Sequence, residues 1–162
     1  TQAFAAALSA PLPPERALEA ARTLAEAAGL DGMLGGQSID VENDGKFPSF
    51  DALCEMYDLK TGALIRAGGR LGCIAAGADA AARSAADRYT HAVGLAFQIR
   101  DDLLDLEQDV QAGKTTYPAV VGEDAARQRI ESLTQDAVAA VASFPDCGFL
   151  VELAAYLAGR EI

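Results

Sequence analysis

Phe97-Gln98-Ile99-Arg100-Asp101-Asp102-Leu103-Leu104-Asp105 is the stretch on which the reading of this chain turns. At about 100° per residue, a helix sets Asp101 and Asp105 about 40° apart, with Asp102 beside them. Gln98 falls on the same stripe one turn earlier, and Gly94 one turn before that. The residues leading in, Asp79–Gln98, have a helical pattern, so the acids gather toward that helix's C-terminal half. There the helix dipole and mutual repulsion both disfavour negative charge. A local rule broken without visible compensation is a mark of a functional site. Clustered carboxylates at helical spacing suit a hard divalent cation such as Mg²⁺, which prefers oxygen ligands and often carries phosphates. A solvated acidic helix face shows the same pattern, so the stretch alone leaves both readings open.

Composition narrows the fold. The 162 residues suffice for one domain with a real core. They are 51% hydrophobic, rich in Ala and Leu, only 6% aromatic and without Trp. Long runs of Val, Ile and Thr are absent, which favours an all-α protein packed closely through small residues. A net charge of −11 and a pI of about 4.4 argue against nucleic acid as the main partner. They do not exclude a phosphorylated ligand, because a bound divalent cation reverses the local field. Cys54, Cys73 and Cys147 are far apart, odd in number and not spaced as metal ligands, so a reducing cytoplasm is expected. No apolar run reaches the ~18 residues of a membrane span. Thr1-Gln2-Ala3-Phe4 has neither an initiator Met nor a signal peptide's basic start and reads as already helical. The chain is therefore expected to be a portion of a longer protein.

The order of elements follows from periodicity and punctuation. Gln2–Leu8 reads as a helix stopped by Pro11-Leu12-Pro13-Pro14, and Pro14 suits the first position of the next. That helix is expected to carry Leu18 and Leu24 inward and to stop near Gly29. Asp31–Val41 reads as a helix and Asn43-Asp44-Gly45-Lys46 as a loop. Ser49 is a good N-cap for a helix through Phe50, Leu53, Met56, Tyr57, Leu64 and Ile65. Its continuation carries Gly68, Gly69 and Gly72, where close backbone approach is the expected reason. Leu106–Thr116 reads as a polar loop, Gly122–Ser143 as a helix, and Asp146–Arg160 closes the chain. No repeat or linker divides residues 1–162, which form one unit.

Several short patterns carry chemistry. Gly35-Gly36-Gln37-Ser38-Ile39-Asp40 sets Gln37 and Asp40 on one helix face, beside glycines that admit a close neighbour. Lys60-Thr61-Gly62 places two poor helix formers in mid-helix, and together Lys and Thr offer an ammonium and a hydroxyl to a phosphate oxygen. Gly113-Lys114-Thr115-Thr116-Tyr117-Pro118 is a Gly-led loop with a cation and two hydroxyls, able to fold over an anion, but it is not a P-loop. Each has a plain alternative: a helix crossing, an exposed lysine, an ordinary turn. His91 lies two turns from the acids and reads as a hydrogen-bonded core or groove residue. It is the sole histidine, which excludes a His-based metal site.

The order of these patterns is more specific than any one. Gly-Gly-Gln-x-x-Asp, Lys-Thr-Gly, Phe-Gln-x-x-Asp-Asp-x-x-Asp and Gly-Lys-x-Thr-Tyr-Pro in succession resemble the trans-prenyltransferases (polyprenyl synthetases). The bacterial farnesyl diphosphate synthase subgroup is the most similar. The resemblance implies the C-terminal portion of an isoprenoid synthase-like all-α bundle around a central cavity. It implies Mg²⁺-dependent condensation of isopentenyl diphosphate with an allylic diphosphate to a short-chain prenyl diphosphate, farnesyl diphosphate being expected. By the same resemblance Asp101, Asp102 and Asp105 are metal ligands, with Asp101 in direct contact. Lys60 and Lys114 hold the allylic diphosphate, Thr61 and Gln98 lie beside the reacting tail and leaving oxygen, and Gln37 and Asp40 support the cavity wall. A homodimer is implied too.

Two departures stand out. The family's first Asp-rich motif and its isopentenyl diphosphate arginines are not in this chain, so residues 1–162 alone are expected to be inactive. The stretch from Asp105 to Lys114 is shorter than the family's and lacks a second Gly-Lys pair, as if a mobile segment were skipped. A non-catalytic helical subunit or scaffold of a heteromeric synthase is the rival reading.

Overall fold

The computed structural model describes residues 1–43, 46 and 49–160, and every regular element among them is helical. In order these are α1 (Gln2–Ser9), α2 (Pro14–Ala28), α3 (Met33–Glu42), α4 (Phe50–Tyr57), a π turn (Asp58–Gly62), α5 (Ala63–Ala76), α6 (Ala80–Leu104), α7 (Leu106–Gln111), α8 (Tyr117–Val121), α9 (Glu123–Val141) and α10 (Gly148–Gly159). None of the described helices is long and apolar enough to cross a membrane.

Helix α6 is the spine. Its 25 residues extend about 38 Å. Asp79 starts it by accepting a hydrogen bond from the Ala82 N–H at 2.8 Å. Small side chains line its buried face, including Ala85, Ala86, Ala92 and Ala96, so neighbours approach closely. Helix α9 forms its largest interface, and α5 packs on another side. The core lies between α4, α6, α8 and α9, around Leu53, Val93, Ile99, Leu133 and Val141. Tyr89 ties α10 to this core by donating to the Leu150 carbonyl at 2.7 Å.

Helix α2 begins at Pro14 and is capped at Gly29, as the punctuation indicates. Its inward face is different from the one expected. Ala17 and Ala20 are buried, Leu24 is partly buried, and Leu18 is 66% exposed. The close approach of α2 to α5 selects alanine for the contact and turns Leu18 away. The helix starting at Ser49 is also not one regular helix. Ser49 caps it by accepting from the Ala52 N–H at 3.2 Å, but a π turn interrupts it at Asp58–Gly62. Of the expected loop Asn43–Lys46, Asp44 and Gly45 lie outside the described residues.

Leu106–Thr116 is the clearest correction. Instead of a loop, residues 106–111 form α7, which follows α6 with only Asp105 between them. The Asp109 N–H donates to the Asp105 carbonyl at 2.9 Å, so the ladder is barely interrupted. Helix α7 then ends on Gly113 at φ 68°, with Lys114 N–H bonded to the Asp109 carbonyl at 3.0 Å. Gly113 thus serves as the helix cap from which the Lys114–Thr116 stretch departs.

The glycines separate into two kinds. A Cβ on Gly36 would stand 2.2 Å from the Lys60 backbone N, and one on Gly69 2.6 Å from Thr90 Cγ2. One on Gly68 or Gly72 would meet nothing within 4 Å, so close approach accounts for Gly69 alone in α5. Gly36→Ala forces backbone apart and is expected to cost about 1–3 kcal/mol. Gly68→Ala is expected to be neutral or to add up to about 1 kcal/mol. Chemical denaturation of the two variants checks this contrast, and equal stabilities would contradict it.

Candidate functional site

The motifs meet because Gly36 lets α3 press against the backbone of Lys60. Asp40 stands one turn farther along α3, on the same face. Lys60 Nζ donates to Asp40 Oδ2 at 2.6 Å, and Gln37 Nε2 reaches the same oxygen at 3.4 Å. The Gly-Gly-Gln-x-x-Asp and Lys-Thr-Gly patterns are therefore two halves of one contact.

The next residue on the π turn joins α6. Thr61 Oγ1 donates to Gln98 Oε1 at 2.8 Å, and Gln98 Nε2 donates to Asp102 Oδ1 at 3.3 Å. The other oxygen of Asp102 accepts from the Tyr57 hydroxyl and from the Tyr117 N–H, the latter at 2.8 Å. Asp102 is only 5% exposed. Burial pushes its pKa up, and the donors from Tyr57, Tyr117 and Gln98 oppose that shift. Burial, followed by the neighbouring Asp102 charge, raises the Tyr57 phenol well above its ordinary value. Tyr57 therefore remains a donor across the physiological range.

The other two acids face differently. Asp101 pairs with Arg160, whose guanidinium also lies over the Phe97 ring at 4.0 Å. Arg100 holds the Arg160 carbonyl through Nε at 2.9 Å and Nη2 at 2.6 Å. Asp105 is exposed between α6 and α7. One further turn along, Asp109 accepts from Lys114 Nζ at 2.9 Å. That hydrogen bond raises the Lys114 pKa, and the charges of Asp109, Asp40 and Asp105 act in the same direction.

Asp40, Tyr57, Lys60, Gln98, Asp101, Asp102, Asp105, Asp109 and Lys114 line one cleft of about 400 Å³. Five carboxylates (Asp40, Asp101, Asp102, Asp105 and Asp109) and three lysines (Lys46, Lys60 and Lys114) border it, with Gln98, Thr115 and Thr116. Among the described residues the Thr115 hydroxyl is buried without a hydrogen-bond partner. Of the residues singled out in the sequence, the cleft brings together Asp40, Lys60, Gln98, Asp101, Asp102, Asp105 and Lys114. Gln37 and Thr61 act from just behind, through Asp40 and Gln98. His91 lies elsewhere, exposed, with Nδ1 3.3 Å from Asp58 Oδ1.

The spacing groups Asp102 with the metal ligands, but both its oxygens accept hydrogen bonds from the protein. Among the described residues no three acidic, histidine or cysteine side chains form a ready metal cluster. Asp109, Tyr57, Lys46 and Arg160 escaped the sequence reading. Asp109 had a signal, since it continues the 101–105 spacing by one turn, but a loop assignment hides it. Tyr57 reads simply as a core aromatic.

An all-α bundle with this cleft on its longest helix has the isoprenoid synthase fold. A crystal structure of an FPP/GFPP synthase from Zymomonas mobilis superposes with a TM-score of 0.88 at 32% identity, over 95% of this chain and 56% of that one. The chain belongs to the polyprenyl synthetase family, whose model matches residues 2–142. It is 43% identical over 127 residues to farnesyl diphosphate synthase of Escherichia coli (strain K12), covering 70% of this chain and 42% of that protein. It is 32% identical over 160 residues to that of Haemophilus influenzae, covering 91% and 54%. The chain thus spans about half the length of the relatives it matches.

Asp102 makes stability depend on pH in a definite direction. Its folded pKa is raised, so between the unfolded and folded values the native state holds a proton that the unfolded chain has lost. Its contribution is complete below the ordinary aspartate range and is lost as pH rises through the folded value. Unfolding free energies measured upward from about pH 4 should show the parent losing stability relative to Asp102→Asn, then levelling off. A parent that gains stability relative to Asp102→Asn as pH rises would contradict this.

Proposed function

We propose that the protein to which this chain belongs condenses isopentenyl diphosphate with an allylic diphosphate, with Mg²⁺, to give a short-chain prenyl diphosphate. Farnesyl diphosphate is the proposed product, because relatives bearing that name are 32–43% identical. The cleft's make-up carries the reading. Five carboxylates beside three lysines repel a bare dianion but suit one that arrives with divalent cations. A scaffold has no need for such a lining.

The residues fit Mg²⁺ in a particular way. The donors are all oxygen, as a hard cation requires, and no complete cage exists among the described residues. Asp101 and Asp105 are the proposed direct ligands, with Asp109 within a turn. Asp102, held by its three donors, orients the helix that presents them. When bound, the metal stabilises charge that develops on the leaving diphosphate.

The chain's own groups do the rest. Lys60 and Lys114 move from Asp40 and Asp109 onto diphosphate oxygens and stabilise the charge left when the carbon–oxygen bond breaks. The orphaned Thr115 hydroxyl supplies a further donor. Thr61 fixes the Gln98 amide so that its oxygen faces Thr61 and its NH₂ faces Asp102, which sets the polarity of the wall beside the cation. A reducing cytoplasm, expected from the odd number and wide spacing of the cysteines, belongs to the same proposal. So does a homodimer.

With isopentenyl diphosphate and an allylic diphosphate as substrates, Lys60→Ala and Lys114→Ala should each lower kcat/KM about ten- to a hundred-fold, the worth of one charge-assisted contact. Near-normal kinetics in both would remove the lysines from the site. Calorimetric titration should show Mg²⁺ binding weakly alone and at least about tenfold more tightly with a non-hydrolysable diphosphate present, a gain that Asp101→Asn abolishes. Equal binding with and without the diphosphate would contradict the shared-metal reading.

A further inference from the structure

The proposed site uses Lys60 and Thr61 but does not explain what holds them in place. Both stand on the π turn Asp58–Gly62. A π turn accommodates one extra residue in a helix, widens it and weakens its hydrogen-bond ladder. Were this segment to return to regular α-helix, the residues beyond it would rotate by about 100° relative to those before it. Thr61 could then not face Gln98 while α4 kept its place against α6. Something must favour the wider turn.

Arg66, on α5, supplies a grip. Its Nη1 donates to Asp58 Oδ1, while Nη2 donates to Asp58 Oδ2 at 3.0 Å and to the Asp58 backbone carbonyl at 3.3 Å. One planar guanidinium thus holds both the side chain and the main chain of the first π residue. Gly62 leaves the space for it, since a Cβ there would stand 3.0 Å from Arg66 Nη1 and 3.3 Å from Asp58 Oδ1. A side chain at this glycine of Lys-Thr-Gly would press on the Arg66–Asp58 contact. The Arg66 side chain is only 19% exposed, and neither it nor Asp58 lines the cleft. Lysine could not replace it, because a single ammonium lacks the fork that reaches a carboxylate and a carbonyl together.

We propose that Arg66 is a positioning residue: clamped on Asp58, it fixes the π turn in the register that presents Lys60 and Thr61 to the cleft. It thereby sets the hold on the allylic diphosphate without touching it. This rests on the reading of Lys60 and Thr61 given above.

The test compares Arg66→Gln, Arg66→Lys and Asp58→Asn with Arg70→Gln. Arg70 is also on α5 and makes a two-pronged pair with Asp87, but it lies away from the π turn. Amide hydrogen exchange over residues 58–63, referred to α6, reads the turn itself. Steady-state kinetics with each substrate varied reads the site. In Arg66→Gln, exchange over 58–63 should quicken about tenfold and KM for the allylic diphosphate should rise about tenfold, with KM for isopentenyl diphosphate near the parent value. Arg66→Lys should restore little of either, and Arg70→Gln should change neither. If Arg66→Gln does not fold, Arg66→Lys and Asp58→Asn are read in the same two ways. Unchanged exchange overturns the clamp whatever the kinetics. Faster exchange with a normal allylic KM, where Lys60→Ala is impaired, overturns its link to the site. An unimpaired Lys60→Ala overturns the reading of the site on which the proposal rests.

Discussion

Burying a carboxylate costs free energy unless donors replace the water it loses, and Asp102 is supplied with three. Each comes from a different part of the chain: the last residue of α4, the side chain one turn earlier on α6, and the first backbone N–H of α8. The carboxylate therefore fixes where three segments meet. Removing any one donor leaves a buried oxygen short of a partner, at a cost of about 1–3 kcal/mol. The Phe50 and Tyr117 rings, 5.4 Å apart at centroid, close the apolar side of this junction. Everything that faces the cleft is placed relative to it: Gln98 and Thr61 on one side, the α7–α8 connection with Lys114 on the other.

The π turn solves a packing problem that a straight helix would leave open. Tyr57 must point into the core to reach Asp102, and Leu53 on the same helix is almost wholly buried. Lys60 must instead lie against α3, where Gly36 has no side chain to obstruct its backbone. The two directions do not fit a single α register three residues apart, and the extra residue absorbs the difference. The cost falls on the hydrogen-bond ladder and is offset by contacts between side chain and backbone, as at Arg66 and Asp58. Of the paired glycines in α3, Gly36 is the one this crossing requires, whereas Gly35 faces the Leu30 carbonyl just before the helix.

How much was legible follows from which interactions are local. Helix starts at Ser49 and Asp79 could be read because a cap is satisfied within a few residues, and the start at Pro14 because proline suits the first helical position. The all-α class followed from composition and periodicity, and the four short patterns supply most of the charged residues that line the cleft. The burial of Ala17 rather than Leu18 could not be read, because it depends on how closely α5 approaches. Nor could the fate of Asp102. Three acids in a row look equivalent in sequence, yet one is enclosed by Tyr57 and Tyr117, one meets Arg160, and one remains in solvent. Their partners lie far away along the chain, and periodicity carries no information about them. Asp109 was hidden for the opposite reason: α7 is too short and too polar to announce itself, although its spacing continued the stripe.

Of the eight charged side chains that line the cleft, four are paired with one another, Lys60 with Asp40 and Lys114 with Asp109. Asp101 is paired with Arg160, which stands outside the lining. None of these pairs is deeply buried, so each is held by little and opens readily. A ligand carrying both signs, such as an anion with its divalent cations, can take over both halves of each pair. The lysines then turn to the anion and the carboxylates to the cations, with little net change in the number of charges satisfied. A ligand of one sign can take only half and leaves the other half unpaired. On the proposed function, selectivity for a combined ligand would lie in this pairing as much as in any single residue, with the frame around Asp102 keeping the two sets of charges facing each other.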